Sequence, residues 1–213
     1  MKTLTIEITL KSSTLTGSGE GFGAIIDTDI VFDEIGLPYI PAKRIKGCLR
    51  DSATEVSEMF NSSGINFPLD IDNTFGKEGQ EKSCPVYFSN LTIEDYQANK
   101  AWLQYYKKSN LLSEESIINF FTEIRQQTAI NEDTGVAKDH SLRTIRVIKK
   151  GHKFTGEIQV EDTSIIDTLS LACLNMRHIG AKRNRGFGEI ECNLYEGSSK
   201  ISVLERLETI CTK

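Results

Sequence analysis

The chain has 213 residues, of which 38% are hydrophobic and 26% are charged. This length and composition suit one ordinary domain with a real core and exclude a wholly disordered chain. No apolar run approaches the roughly eighteen residues that a membrane span needs, so we expect no membrane partner, and the net charge of −5 taken alone disfavours a nucleic-acid partner.

The first half of the chain predicts a strand, a helix and a second strand. Alternating apolar residues indicate a half-buried strand over residues 3–11. Pro41 can open a helix, and apolar residues at helical spacing continue it to about Phe60. Residues 61–84 are rich in Asn, Ser, Gly and Asp and predict a loop, which a short strand over Pro85–Ser89 follows.

The middle of the chain predicts helix. Residues 92–125 have the apolar spacing of a helix, most clearly in the run EESIINFFTEI. Trp102, Tyr105 and Tyr106 could stack on nucleic-acid bases, but their spacing is more typical of side chains in the core under a helix.

The last third of the chain predicts a hairpin, a strand, a helix and a final strand. Residues 126–148 indicate an extended hairpin around Gly135, because Glu-Asp-Thr-Gly is a turn signal. A strand over 154–160 follows, then an amphipathic helix over residues 162–176. Alternating apolar residues over 186–195 predict the closing strand.

The order β–α–β–β–α–β predicts an α+β, ferredoxin-like fold, the scaffold of the RNA recognition motif. We expect a single domain over residues 1–213 with long insertions at 12–40, 61–84 and 90–150. Connections of this length are usually functional or disordered. The aromatic signature of RNA recognition motifs is missing from the predicted strands, so the fold alone does not indicate RNA binding.

Cysteine usage indicates a reducing compartment. The five cysteines lie far apart, with no pair at a spacing typical of zinc ligands. The N-terminus alternates apolar and polar residues, unlike a signal peptide, and an odd number of cysteines without a secretion signal indicates reduced thiols. We therefore expect a cytoplasmic protein without a sequence-coded zinc site.

Positive charge is concentrated in three stretches: Lys43–Arg50, Arg143–Lys153 and Arg177–Arg185. Together they hold 13 of the 25 lysines and arginines and contain no Asp or Glu. A polyanion responds to the local field within a Debye length of roughly 8–10 Å and not to the whole-chain charge. If the three stretches converge in the fold, they form a phosphate-binding surface on an acidic body; otherwise they are three solvated faces.

The last stretch lies in a glycine-rich segment between the second helix and the closing strand, and we call residues 177–188 the Gly-rich loop. Its three glycines permit positive φ or close approach of a ligand to the backbone. Its four cations beside exposed amides are the ingredients of a phosphate cradle. The alternative is a simple helix-to-strand turn.

The first stretch places four cations in the first two turns of the predicted helix. Free amides at a helix start favour anions, while the helix dipole mildly disfavours cations there. Basic residues at this place therefore indicate a helix start that faces a phosphate. Lys43, Lys46 and Arg50 lie at i, i+3 and i+7, on one face.

These two segments, IPAKRIKGCLR and GAKRNRGFGEI, resemble the RAMP (repeat-associated mysterious protein) superfamily of CRISPR-associated proteins. More narrowly, the chain is similar to the backbone subunit of type III effector complexes. The intervening FG…G…VYFSN and RQQTAINEDTGVAKDHSLRTIRV are similar to the same subunits. The resemblance runs from about residue 4 to 195.

The resemblance implies a prokaryotic protein that binds crRNA and target RNA and stacks head to tail with other effector subunits. The Gly-rich loop and the basic helix would hold the crRNA backbone, and the 126–148 hairpin would be a thumb that inserts apolar side chains such as Val136 between bases. The alternative for the hairpin is an ordinary surface ribbon. The residues expected to contact RNA are Lys43, Arg44, Lys46, Arg50, Thr128, Ile130, Arg143, Arg146, Arg177, Lys182, Arg183, Arg185, Gly186 and Gly188.

The resemblance also implies a catalytic aspartate in the loop after the first strand. Asp27, Asp29 and Asp33 lie there, and Asp27 matches the family pattern best, with Asp29 as its close competitor. In the family this residue supports metal-dependent cleavage of target RNA, so Asp27 would bind Mg²⁺ or Mn²⁺ during attack of a ribose 2′-OH on the adjacent phosphate. A lone aspartate could instead orient the 2′-OH or take its proton.

Two other functions remain open. The same scaffold could bind crRNA without cleaving target RNA. Less favoured is a metal-independent endoribonuclease that processes guide precursors, since the histidines His140, His152 and His178 are scattered. The length of target fragments made by Asp27→Ala distinguishes a cleaving subunit from a purely binding one. Chelation of metal ions identifies the guide-processing endoribonuclease, because its activity should survive chelation.

Overall fold

A computed structural model describes residues 1–17, 26–77, 86–204 and 207–208. The beginning of the strand predicted at Pro85 lies outside the described residues. So do residues 18–25 of the first predicted insertion and residues 78–84 of the second.

The first half of the chain forms β1 (Lys2–Leu10), β2 (Tyr39–Ile40), α1 (Ala42–Ser63), α2 (Ile71–Phe75), β3 (Val86–Phe88) and β4 (Leu91–Ile93). The apolar side chains that alternate along β1 are at most 1% exposed, as the period of two predicts. Pro41, in an extended conformation, precedes the first turn of α1, and Gly64 ends the helix with φ of 69°. Both residues are those that helix-end geometry prefers.

The second half forms α3 (Tyr96–Lys108), α4 (Glu114–Phe121), β5 (Thr122–Gln127), β6 (Arg143–Ile148), β7 (Lys153–Val160), α5 (Ile166–Asn175), β8 (Ile190–Glu196) and β9 (Ser199–Lys200). The helix predicted over 92–125 is therefore two helices with a strand at each end. Ser113 caps α4 by accepting from the amide of Ser116. The run from Thr122 leaves the helix because it pairs with β6, a partner that local sequence does not reveal.

The main sheet has the strand order β2–β4–β7–β1–β8–β9, with β3 also paired to β7, and every pairing is antiparallel. The order β8–β1–β7–β3 is that of the ferredoxin-like fold, which confirms the predicted α+β class. Helices α1 and α5 pack together, and Ile45, Leu49 and Leu169 join the apolar face of β1 in one core. No helix of the described residues is long and apolar enough to cross a membrane.

β5 and β6 form a separate two-stranded ribbon. Its register runs from Thr122 opposite Ile148 to Gln127 opposite Arg143, and a bridge between Ile130 and Ala137 continues toward the tip. The chain turns around Gly135, whose φ is 67°, as its turn signal predicts.

The prediction that the aromatic side chains of α3 lie in the core is wrong. Trp102 is 62% exposed, Tyr105 is 59% exposed and Tyr106 is 36% exposed. No residue of α3 is fully buried. The helix lies at the periphery, where helical spacing of apolar residues does not by itself guarantee a partner.

Candidate nucleic-acid interface

The Gly-rich loop is fixed to the segment that follows β1. The amide of Ala181 donates to the carbonyl of Leu15 at 2.9 Å, and the amide of Gly188 donates to the carbonyl of Ser13 at 3.0 Å. The loop therefore packs on the main chain of a segment close to the N-terminus of the sequence.

Two of its glycines are required by this packing. A Cβ at Gly180 would lie 2.3 Å from the carbonyl oxygen of Leu15, and one at Gly188 would lie 2.0 Å from that of Ile179. Both residues also have positive φ. Gly188 is buried, so packing accounts for it without the predicted RNA contact. Gly186 faces open space, which leaves its backbone accessible to a ligand.

The cations of the loop point outward. Arg177, Arg183 and Arg185 are exposed, and the last two lie in a single 3-10 turn. None of the three forms an ion pair with any residue that the structure describes. Three exposed, unpaired guanidinium groups on one short loop form a surface suited to phosphates.

The side of helix α1 that carries Cys48 lies against this loop. Arg44 donates to the carbonyl of Gly17 at 2.6 Å, and Cys48 lies against Gly180. Burial raises the pKa of the Cys48 thiol, while Arg183 and Arg44 partly offset the rise. Arg44 and Cys48 are four residues apart and so share this side of the helix.

The three cations predicted to share one face of α1 do not lie on the side that carries Cys48. Since successive helical residues rotate by about 100°, Lys43, Lys46 and Arg50 lie on a different side from Arg44 and Cys48. Among the described residues, the cavity beside the Gly-rich loop is not lined by these three cations, so the two basic stretches do not meet there as whole stretches.

A cavity of about 980 Å³ lies between α1 and the Gly-rich loop. Acidic side chains of α1, Asp51 and Glu55, line it beside Cys48. They follow the acid-free stretch directly in sequence, so the cavity is basic on one wall and acidic on the other. Its basic wall consists of Arg177, Lys182, Arg183 and Arg185.

The two ends of the second basic stretch, Arg143–Lys153, contact different parts of the fold. Lys149 donates to the carbonyls of Asn119 and Phe120 at the end of α4, and Lys153 pairs with Glu7 and Glu94. The arginines at the other end of the stretch, in β6, face the loop that holds the aspartates.

Asp27 lies at the edge of the β5–β6 ribbon. Its carboxylate accepts from the amide of Thr144 at 2.7 Å and from Nη1 of Arg143 at 3.1 Å. The amide of Thr144 and then the Arg143 guanidinium lower the pKa of the Asp27 carboxyl, so this exposed group is ionised at neutral pH.

Asp29, the alternative catalytic candidate, is 5% exposed. Its carboxylate accepts from Nη1 of Arg146 at 2.8 Å and from the amide of Ile30 at 2.7 Å. Asp33 also has a local role, because it accepts from the amides of two residues in its own turn. Of the three predicted aspartates, Asp27 is the one whose carboxylate reaches solvent as an exposed residue.

Lys182 connects the Gly-rich loop to this edge of the ribbon. Its ammonium donates to Oε1 of Gln127 at the end of β5, and its charge interacts with that of Asp27. The Gly-rich loop, the ribbon and the aspartate loop therefore meet at Lys182. Sequence reasoning missed Gln127, since nothing in the local sequence marks it as a partner of residue 182.

The described residues around Asp27 do not fit a divalent ion held by the protein. Mg²⁺ and Mn²⁺ bind through several oxygen ligands, usually carboxylates and water. Asp27 is one carboxylate whose two oxygens already accept hydrogen bonds from Arg143 and Thr144, and Lys182 adds a positive charge. Within the described residues no group of three potential ligands occurs.

The tip of the ribbon presents apolar side chains to solvent. Ile130 is 60% exposed and Val136 is 63% exposed, while Leu142, which sequence reasoning did not single out, is 59% exposed. The hydroxyl groups of Thr128 and Ser141 bond to each other at 2.7 Å across the ribbon. Exposed apolar side chains on a ribbon are suited to insertion into a partner.

Comparisons with known proteins agree with this architecture. The sequence matches the RAMP superfamily over residues 7–191, and no curated protein matches it. A chain of the type III-B Cmr-beta complex bound to cognate target RNA, seen by cryo-EM, superposes with a TM-score of 0.68 at 15% identity, covering 91% of this chain and 97% of that chain. A chain of the apo type III-B Cmr-beta complex gives 0.67 at 15% identity, covering 92% and 98%. At this identity the likeness shows a shared fold.

Proposed function

The chain belongs to the RAMP superfamily, and on that premise we propose that it is a crRNA-binding backbone subunit of a type III CRISPR effector complex. The observation that carries the proposal is the meeting of three elements at Lys182, namely the Gly-rich loop, the β5–β6 ribbon and the loop with Asp27. This arrangement puts Lys182 of the Gly-rich loop near the exposed carboxylate of Asp27, on the family's scaffold.

The RNA backbone is bound by the unpaired arginines of the Gly-rich loop, with Arg143 at the edge of the ribbon. Guanidinium groups suit phosphate because they donate two parallel hydrogen bonds. The solved chains of similar fold come from a complex bound to cognate target RNA and from its apo state. Their likeness supports target RNA and other effector subunits as partners of this chain, while head-to-tail stacking stays a prediction.

Cleavage of target RNA at Asp27 is the finer part of the proposal. An ionised carboxylate can accept a hydrogen bond from a ribose 2′-OH and then its proton. Asp27 is exposed and held in place by Arg143 and Thr144, which fixes the direction of its oxygens. A divalent ion stays a prediction for the RNA-bound state only, since the described residues do not supply its ligands.

The first test is co-expression with candidate neighbouring subunits, followed by sequencing of the RNA that copurifies. Repeat-derived guides are the expected result. RNA without repeat sequence, or no RNA at all, would contradict the assignment as a crRNA-binding subunit.

The second test compares target fragments made by wild type and by Asp27→Ala in the assembled complex. Cleavage by successive subunits should give target fragments spaced by the subunit repeat, and these fragments should vanish in the variant while guide content stays unchanged. Glu161→Ala, which removes another exposed carboxylate, is the matched control and should cleave as wild type does. Fragments that persist in Asp27→Ala would leave the binding function without the cleavage.

One observation favours a purely binding subunit as the second candidate. The hydrogen bonds of Asp27 to Arg143 and Thr144 tie the aspartate loop to β6, which by itself accounts for the residue. In that case, Asp27→Ala would loosen the loop and change no fragment pattern.

A further inference from the structure

Four aromatic side chains of α3 and α4 lie open to solvent, and we call them the aromatic surface: Trp102, Tyr105, Tyr106 and Phe120. Trp102 is 62% exposed and Phe120 is 67% exposed. The RNA contacts proposed for the Gly-rich loop and the ribbon do not use any of them. Exposed apolar side chains that cluster on a surface commonly mark a binding site.

The aromatic surface borders a second cavity, of about 930 Å³, between α3, α4 and the turn before β7. Trp102, Tyr106 and Phe120 line it, and its remaining apolar walls come from Ile93, Leu103, Leu112, Ile117 and Phe121. None of the described residues that line it also lines the cavity beside the Gly-rich loop. A concave site of this size with mostly apolar walls suits a ligand that has flat apolar faces.

The rings of Trp102 and Tyr106 are arranged as a stacked pair. The two residues are one helical turn apart, and their rings lie 6.2 Å apart between centroids at an angle of 26°. Tyr105 lies edge-on to Trp102, with an angle of 88° between the rings. Aromatic rings attract one another in offset stacks and in edge-to-face contacts. A near-parallel, exposed pair can therefore be extended by a further flat ring, such as a nucleobase.

Positive charge reaches this cavity from the second basic stretch. Lys149 donates to the carbonyls of Asn119 and Phe120, so its ammonium lies at the end of the helix that carries the Phe120 ring. Lys150 is exposed and forms no ion pair with any residue that the structure describes. The next residue, Gly151, lines the cavity itself.

Negative charge at the cavity is balanced. Glu94 is the one carboxylate among the described residues that line it, and it pairs with Lys153 at 3.5 Å. The sequence of α3 contains no Asp or Glu. The rim beside Gly151 therefore keeps the charge of Lys149 and Lys150. Lysine is depleted in protein–protein interfaces, whereas aromatic rings beside cations are the usual combination for single-stranded nucleic acid. These observations favour RNA over a protein as the partner of this surface.

We propose that the aromatic surface is a second RNA site, which binds unpaired bases of a single strand. A base stacks on the ring pair of Trp102 and Tyr106, and Lys150 contacts a neighbouring phosphate. Because every base has a flat π face, the site accepts any sequence. The Gly-rich loop is the proposed site for the RNA backbone, so the aromatic surface adds a contact that depends on the bases. The site does not require cleavage at Asp27.

Trp102 is the only tryptophan of the chain, so tryptophan fluorescence reports on this site. The test titrates the whole chain with a single-stranded oligouridylate and records both this fluorescence and the anisotropy of a label on the RNA. A base that stacks on the indole should quench the fluorescence in step with binding. An abasic strand of the same length, which has the phosphates but no bases, should leave the fluorescence unchanged.

Single substitutions test the roles of the ring and of the lysine. Tyr106→Ala should weaken the binding that the quenching reports by about tenfold, because one stacking ring is lost. Tyr87→Ala is the matched control, since Tyr87 is a 50% exposed tyrosine of β3 that does not line the cavity. Lys150→Ala should also weaken this binding. Lys108→Ala should not, because Lys108 lies two residues after Tyr106 and so on the other side of α3.

A double variant separates this site from the Gly-rich loop. Replacing both Arg183 and Arg185 with Ala removes exposed charge from the loop and leaves the aromatic surface intact. The variant should need more RNA to reach saturation, but its quenching at saturation should equal that of wild type.

Several outcomes overturn the inference. If anisotropy shows bound RNA while the fluorescence of Trp102 stays constant, the RNA binding proposed for the Gly-rich loop stands and the aromatic surface has no part in it. If the abasic strand quenches equally, the bases are not what Trp102 senses. If Tyr106→Ala prevents assembly with other effector subunits in the absence of RNA, a protein covers the surface. If the wild-type chain binds no RNA at all, the proposed function and this inference fail together.

Discussion

At the scale of single residues, Asp27 and Asp29 show how two similar carboxylates come to differ. They are two residues apart, and each pairs with an arginine of β6. Arg143 is exposed, so the carboxylate of Asp27 stays accessible. Arg146 is half-buried over the ring of Phe32, and it draws Asp29 inward.

Replacing Asp29 should therefore destabilise the fold. Asp29→Ala leaves the guanidinium of Arg146 buried without its partner, and we expect the free energy of unfolding to fall by about 3 kcal/mol. Equilibrium unfolding in urea measures the loss. Asp27→Ala is the control, and its effect should be much smaller because that pair is exposed to solvent. Equal losses in the two variants would show that the burial of the Asp29 pair does not matter.

At the scale of elements, the twelve residues of the Gly-rich loop include some that pack within the fold and others that are exposed and available for binding. Gly188 and Gly180 pack against main-chain oxygens, whereas the turn between them carries the exposed arginines. The packed glycines fix where the turn lies, and the turn presents its charges to a ligand.

Gly188→Ala and Gly186→Ala test this division. Both residues have positive φ, so each substitution should cost about 1–3 kcal/mol of stability from backbone strain. Gly188→Ala should cost clearly more, because its Cβ would lie 2.0 Å from the carbonyl oxygen of Ile179. Thermal unfolding compares the two variants. If Gly186→Ala proves the more damaging, the packing role of Gly188 is disproved.

At the scale of the whole molecule, the charge of the Gly-rich loop is opposite in sign to the net charge of the chain. The chain carries a net charge of −5, yet the arginines of the Gly-rich loop have no ion-pair partner among the described residues. Acidic residues of α1 form the opposite wall of the neighbouring cavity. An RNA strand would therefore be attracted to the basic wall of this cavity and repelled from its acidic wall.

This distribution predicts that affinity for RNA falls steeply with salt. Each phosphate contact of a single strand contributes about 0.7 to the slope of log K against log salt concentration. Arg183→Ala and Arg185→Ala should each lower the slope by about that amount, whereas Lys108→Ala should leave it unchanged. Fluorescence anisotropy with labelled RNA at several salt concentrations measures it. An affinity that does not respond to salt would contradict the phosphate track.

The sequence by itself determined the scaffold. The period-two pattern of β1, the proline before α1 and the turn at Gly135 are local signals that the structure confirms, and the order of the predicted elements indicated the ferredoxin-like class. The motifs in α1 and in the Gly-rich loop indicated the family for the same reason, since each is contained within one short segment.

Only the tertiary structure decided which charges meet. The stripe of Lys43, Lys46 and Arg50 lies on a side of α1 that does not face the Gly-rich loop, while Lys182 reaches Gln127, 55 positions earlier in the chain. Asp29 pairs with the largely buried Arg146 and is itself buried, whereas Asp27 stays exposed. Local sequence contains the period of each element but not the rotation of one element against another, and that rotation, set by packing in the core, places the side chains of the site.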